Sequence, residues 1–167
     1  MANAATIPGN YQLTQDQQDV ANIMCEELCT AIANGENSNA LENRLAVDPR
    51  MIAKGVTFRG FGYVKVLATT AQKYSRTAIK TFQKFGKTLG SVMIKPDAVL
   101  NAVLSGGKIL GGERCFEIKL PGDTVGRGMV HADQLDRQAQ MCDGKRPILI
   151  ACPNIGGVCT SCAGCPP

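Results

Sequence analysis

Between Pro49 and Pro96 the chain carries ten basic residues and no acid: Arg50, Lys54, Arg59, Lys65, Lys73, Arg76, Lys80, Lys84, Lys87 and Lys95. A stretch of 48 residues so charged cannot fold onto itself without repelling itself. It needs acids from elsewhere in the chain, from a neighbouring subunit, or from a polyanion. The residues before it carry seven acids against Arg44 alone, and those after it carry seven of each sign. The net charge of +4 therefore conceals a strongly polarised chain.

A chain of 167 residues with 44% hydrophobic content can bury one core. With 5% aromatics and no Trp, that core rests on Ile, Leu, Val, Ala and Met. No apolar run approaches the ~20 residues that span a bilayer, so no membrane partner is expected. Met1–Asn10 has neither the basic nor the apolar region of a secretory signal. Cytoplasmic synthesis is the resulting expectation. It reads the eight cysteines as buried thiols, metal ligands or redox thiols, with oxidation after release in a particle as the exception.

Residues 1–13 read as an N-terminal arm, 14–151 as one domain and 152–167 as a Cys-rich tail. Thr14-Gln15-Asp16-Gln17 has the spacing of a capping box. It predicts a helix over 14–34 with Val20, Ile23, Met24, Leu28, Ala31 and Ile32 at helical intervals and an acidic outer face. Cys25 and Cys29 fall on this helix, either as small apolar side chains or as half of a metal site. Ala40–Val47 reads as a short helix turned inward by Leu41 and Leu45 and closed at Asp48-Pro49.

Val56–Phe58 and Tyr63–Leu67 read as a strand, or as a hairpin bent at Gly60 and Gly62. From Ala68 to about residue 88 the spacing predicts a second long helix. Ala71, Tyr74, Ala78, Phe82 and Phe85 form its apolar stripe, and Lys73, Arg76, Lys80, Lys84 and Lys87 share another face. Val92–Ile94 reads as a strand, 98–104 as a helix capped by Asp97, and 108–112 as a connector. Arg114–Leu120 alternates as a half-buried strand. Residues 125–130 are strand or loop, Asp133–Met141 is helical, and Pro147–Cys152 is a buried strand. The fold class is α+β: helices 14–34 and about 68–88 packed on a small mixed or antiparallel sheet, with an irregular tail.

Arg59-Gly60-Phe61-Gly62-Tyr63-Val64-Lys65-Val66 resembles the ribonucleoprotein octapeptide of the RNA recognition motif family at seven of eight positions. Val66 stands where that family has an aromatic, and residues 6–13 do not supply the family's partner hexapeptide. The resemblance implies that Phe61 and Tyr63 stack on bases while Arg59 meets phosphate. The alternative is a glycine-relieved strand packing Phe58, Phe61 and Tyr63 in a core or subunit interface. Arg59, Phe61, Tyr63, Lys65, Lys73, Arg76, Lys80, Lys84 and Lys87 are the candidate nucleic-acid or partner contacts.

Cys152, Cys159, Cys162 and Cys165 are the candidate metal or disulfide residues. Three thiolates two residues apart can wrap one centre, so the tail can hold zinc or an iron–sulfur cluster. Disulfides are the competing reading. Gly86-Lys87-Thr88 lacks the upstream glycine of a phosphate-binding loop. With His131 as the only histidine, a Cys142–His131 dyad has little behind it, and no catalytic residue is expected. The composition thus points to a non-catalytic structural subunit of a larger, virion-like assembly, with self-association through charge-complementary contacts and a Cys-stapled tail. An RNA-binding protein is the second reading, and a small metal or iron–sulfur protein the third.

Overall fold

The computed structural model describes residues 12–122, 132–160 and 162–166. Residues 1–11 and 123–131, which include most of the expected arm, the 125–130 segment and His131, lie outside them. The class is α+β.

The first helix, α1 (Gln15–Ala33), begins as its capping box dictates. The Thr14 hydroxyl accepts from the Gln17 amide at 3.2 Å, and the Gln17 side chain accepts from the Thr14 amide at 3.3 Å. Val20, Ala21, Met24, Cys25, Leu28 and Ala31 are buried along one side. Next come α2 (Ser38–Ala46), which buries Leu41 and Leu45, and α3 (Pro49–Lys54). The third helix was not expected from the sequence. Asp48-Pro49 closes one helix and opens another: the Asp48 carboxylate caps the Arg50 amide at 2.8 Å, and Pro49 sits where its missing N–H costs nothing.

The segment is strand as expected, in β1 (Val56–Phe58) and β2 (Gly62–Leu67), but the hairpin form is overturned. The two do not pair: β1 joins β5 (Ala98–Leu100), and β2 joins β4 (Lys87–Ile94) in a different sheet. The expected helix over 68–88 is overturned. Only the single turn α4 (Ala68–Ala71) and a 3-10 turn at Arg76–Ala78 are helical, and the rest is a hairpin of β3 (Ile79–Lys84) and β4 (Lys87–Ile94). Its two-residue turn, Phe85-Gly86, has φ of +51° and +73°, the mirror-image geometry that matches strand twist. An uninterrupted helix would have had to carry Gly86 and six β-branched residues, among them Thr77, Ile79 and Thr81, against their preferences.

The expected helix at 98–104 is also replaced, by β5 (Ala98–Leu100), a turn at Asn101 (φ +51°) and β6 (Val103–Ser105). Asp97 caps no helix. Its carboxylate accepts from the Ile118 amide at 2.8 Å and ties this corner to the neighbouring strand. The expected connector is β7 (Lys108–Gly111), which pairs with β6. The chain continues with β8 (Arg114–Ile118), α5 (Ala132–Met141) and β9 (Ile148–Ile150).

A four-stranded sheet in the order β1-β5-β8-β9, antiparallel except for parallel β8 and β9, forms the middle layer. Strand alternation divides its side chains. Ala98, Leu100, Phe116, Ile118, Ile148 and Ile150 pack with α1, α2 and tail residues Val158, Cys159 and Cys162. Val99 and Cys115 point the other way, into a second core with Met141, Cys142, Ile109 and the inner face of a three-stranded sheet, β2-β4-β3. That second sheet forms the outer layer opposite α1. Among the described residues no helix is long and apolar enough to cross a membrane.

Candidate nucleic-acid interface

Register decides what the outer sheet presents. Tyr63, Lys65 and Leu67 of β2 lie opposite Met93, Ser91 and Leu89 of β4, and Lys80, Phe82 and Lys84 of β3 lie opposite Ser91, Leu89 and Lys87. These residues share one face. Val64, Val92 and Ile94, which alternate with them, are buried beneath. The outward face therefore carries Lys65, Lys80, Lys84 and Lys87 around Tyr63 and Phe82. Phe61 meets Tyr63 edge-on at 6.2 Å between ring centroids. At Gly62 the backbone carbonyl of Ile109 comes so close that a Cβ would collide with it, so only glycine lets β7 lie here. That approach brings Lys108 to 5.7 Å from the Tyr63 ring.

Cations and rings are interleaved. The Lys80 ammonium lies 5.3 Å from the Tyr63 centroid and Lys65 lies 5.8 Å from Phe82. At the hairpin tip, Lys84 lies 5.4 Å from Phe85, whose side chain is 89% exposed. None of these five lysines forms an ion pair with a described residue.

Three cations that precede the sheet are engaged within the molecule. Arg44 binds Glu27 and Glu36, each at 2.5 Å. Arg50 reaches Asp48 at 2.9 Å, Glu26 at 3.3 Å and Glu27 at 3.4 Å, and Lys54 bridges Asp16 and Asp19 at 3.1 Å each. Hydrogen bonds from Arg50 hold the Asp48 carboxyl below its ordinary range. Six of the seven acids in residues 1–48 are thus paired inside the molecule.

The candidate contacts divide accordingly. Tyr63, Lys65, Lys80, Lys84 and Lys87 come together on the sheet, with Phe61 at its edge. Lys73 and Arg76 sit on the connection between β2 and β3, exposed but off the sheet. Arg59 has φ of +61° and its guanidinium hydrogen-bonds the Asn43 side chain on α2. The octapeptide's leading cation is therefore turned away from its aromatics. Phe82, Lys108 and Phe85 belong to the face and were not among the candidates. The signal for Phe82 and Phe85 was the Phe85-Gly86 pair, whose glycine suits a two-residue hairpin turn that pairs residues 79–84 with 87–92. Lys108 comes to the face from β7 and had no local signal.

The zinc or iron–sulfur expectation for the tail is overturned. All eight cysteines are paired: Cys25–Cys159, Cys29–Cys162, Cys115–Cys142 and Cys152–Cys165, with Cα–Cα distances of 5.1–5.8 Å. A metal needs thiolates, and bonded sulfurs supply none. Among the described residues no group of three or more metal-ligating side chains is found. Cys25 and Cys29, one helical turn apart, face Cys159 and Cys162, and Cys165 turns back to Cys152. The reading of the cysteines as reduced thiols gives way to the oxidised alternative. Cys142 is likewise no free nucleophile.

One buried acid lies between the layers. Glu117 on β8 is buried against α5, where Gln138 donates to its carboxyl at 2.8 Å. Burial, and then the neighbouring Asp97 carboxylate, push the Glu117 carboxyl up to about 8. Its neutral form is thus favoured, and the side chain belongs to the core.

No protein-family model matches the chain, and no curated protein or solved structure matches it either.

Proposed function

We propose that this protein binds single-stranded nucleic acid on the outer face of β2-β4-β3, without catalysis. The observation that carries the reading is the set of lysines that the fold leaves without acids, interleaved with Tyr63 and Phe82. Positive charge tracks a phosphate backbone, and flat rings stack on unpaired bases. The exchange is favourable on magnitudes. A base that takes a ring face from a lysine displaces a contact of about 0.5–1 kcal/mol, gains about 1–3 kcal/mol, and releases the ammonium to a phosphate. Duplex has no exposed base faces to offer. Fluorescence anisotropy with an eight-nucleotide single strand and the matching duplex tests this. The single strand should bind more tightly, and Tyr63→Ala with Phe82→Ala should remove the preference. Equal binding of both forms would reduce the face to a nonspecific charge patch.

A second reading, a subunit of a larger assembly, has its own support. Val103, Leu104 and Leu110 of the β6–β7 hairpin are exposed large apolar side chains. The charge-complementary form of that reading is weakened, because the acids it would use are already paired within the chain. Light scattering on the oxidised protein, with nucleic-acid absorbance read on the same peak, separates the two: a large nucleic-acid-free particle favours assembly.

A further inference from the structure

The register of the outer sheet ends unevenly. Ile79, the first residue of β3, pairs with Val92, so Met93 and Ile94 of β4 have no strand neighbour on that side. The chain before Ile79 turns away through the 3-10 turn at Arg76–Ala78. A cavity of about 320 Å³ occupies the gap, lined by Tyr74, Arg137, Met93, Lys95, Val92 and Ile94 among others. That volume sits at the lower end of the ~300–1,000 Å³ typical of small-molecule sites.

Its chemistry is specific. The Arg137 guanidinium lies 4.7 Å from the Tyr74 ring, which places two flat, stackable groups together. The Arg137 Nε is buried without a hydrogen-bond partner among the described residues. Lys95 adds a second cation, and no described carboxylate lines the space. Val92 and Ile94 make an apolar floor, and the open edge of β4 adds backbone hydrogen-bonding groups. The chain that follows Arg137 is anchored twice: the next residue, Gln138, bonds Glu117, and Cys142, just past the end of α5, is bonded to Cys115 on β8. One lining residue, Met93, lies opposite Tyr63 in the sheet and so links the cavity to the lysine face.

We propose that this cavity is a single-nucleotide subsite. It takes one base of a strand lying on the sheet, with the base against the Tyr74–Arg137 pair and the adjoining phosphate at Lys95. This rests on the nucleic-acid reading above but makes a separable claim, because a flat patch discriminates no position along a strand and a pocket does. The base, and not only the charge, supplies the binding.

The test uses the oxidised full chain. Adenosine monophosphate, ribose 5-phosphate and inorganic phosphate are titrated while the NMR signals of Tyr74, Met93, Ile94 and Lys95 are followed. An eight-nucleotide strand is then scanned with a single abasic position. Adenosine monophosphate should shift those signals at concentrations where the two base-free phosphates do not. One abasic position should weaken the strand about tenfold. Tyr74→Leu and Arg137→Met, each checked for native circular dichroism, should abolish both effects, while Lys80→Ala should weaken every strand alike and keep the positional penalty. Strand binding with neither nucleotide shifts nor a positional penalty overturns the subsite and leaves the sheet-face reading intact. Nucleotide binding at the cavity with no strand binding overturns the sheet-face reading, and with it the subsite as part of a strand site.

Discussion

Arg50 and Lys54 come from the same acid-free segment as Lys65, Lys80, Lys84 and Lys87, yet the fold treats the two sets in opposite ways. The first set, with Arg44, is drawn against the acids of α1, on the side of the molecule that the tail staples with Cys25–Cys159 and Cys29–Cys162. The second set is carried to the far layer on a sheet that brings no acid with it. Basic residues in one segment thus serve two purposes. Where acids are within reach, the charge helps define the native packing. Where they are not, it remains available to an outside partner.

The largest effect that could break this comparison lies in the staples. Replacing Cys25 and Cys159 together by Ala opens a bridge between residues 134 apart in sequence. Stability to urea should fall by about 2–5 kcal/mol, since a long closed loop is released in the unfolded chain. If the sheet layer is organised independently of the tail, its nucleic-acid binding should survive below the new transition.

Next is the charge of the sheet itself. Replacing Lys65, Lys80, Lys84 and Lys87 by Ala should weaken single-strand binding roughly 100-fold at physiological salt. It should also flatten the dependence of log K on log salt by about 0.7 for each lysine that contacted phosphate. The thermal midpoint should hardly move, because none of the four is ion-paired with a described residue. A large loss of stability would mean that these lysines serve the fold as Arg50 does.

Between the layers, Glu117 gives a pH signature. Its folded carboxyl titrates at about 8, above the ordinary value of 4.5. The native state therefore binds a proton that the unfolded chain releases. The resulting stabilisation is full below about 4.5 and is lost as pH rises towards 8. Stability should decline by up to about 1.4 kcal/mol per pH unit inside that window. Glu117→Gln should flatten the decline, as urea titrations at pH 5, 6.5 and 8 would reveal.

The smallest effect concerns a single paired cation. Arg44→Ala leaves Glu27 and Glu36 without their shared guanidinium, at a partly exposed site where screening limits the loss to about 1 kcal/mol. Strand binding should be unchanged, which is the mirror image of the lysine replacement.

Much of the helical layer was legible in the sequence, because its signals are local. Thr14 and Gln17 mark the start of α1, and Leu41 and Leu45 mark the inner side of α2. Residues 114–118 do form a strand, β8, but the half-buried reading of its alternation is overturned: all five are buried, because the strand is covered on both faces and takes Arg114 and Glu117 into the interior. The sheet layer was misread for a physical reason. On β3, Lys80, Thr81, Gln83 and Lys84 are all exposed, so no buried side imposes a period of two. The lysines and aromatics then fell by chance at intervals of three and four, and the helical period prevailed over the Phe85-Gly86 turn. The face was therefore found as a list of cations but not as a surface, and Phe82 and Lys108 were missed. Disulfides were one of two readings of the tail, but their pairing was illegible for another reason. Cys29 and Cys162 are 133 residues apart, and only the packing of the tail on α1 brings them together.

The most direct test of the central claim is an amide chemical-shift map of the oxidised protein titrated with an eight-nucleotide single strand. The account predicts shifts concentrated at Tyr63–Leu67, Lys80–Lys84 and Lys87–Met93, with α1 and α3 unperturbed. Shifts centred on the Arg44, Arg50 and Lys54 surface, or none at concentrations where the strand binds other basic proteins, would contradict it.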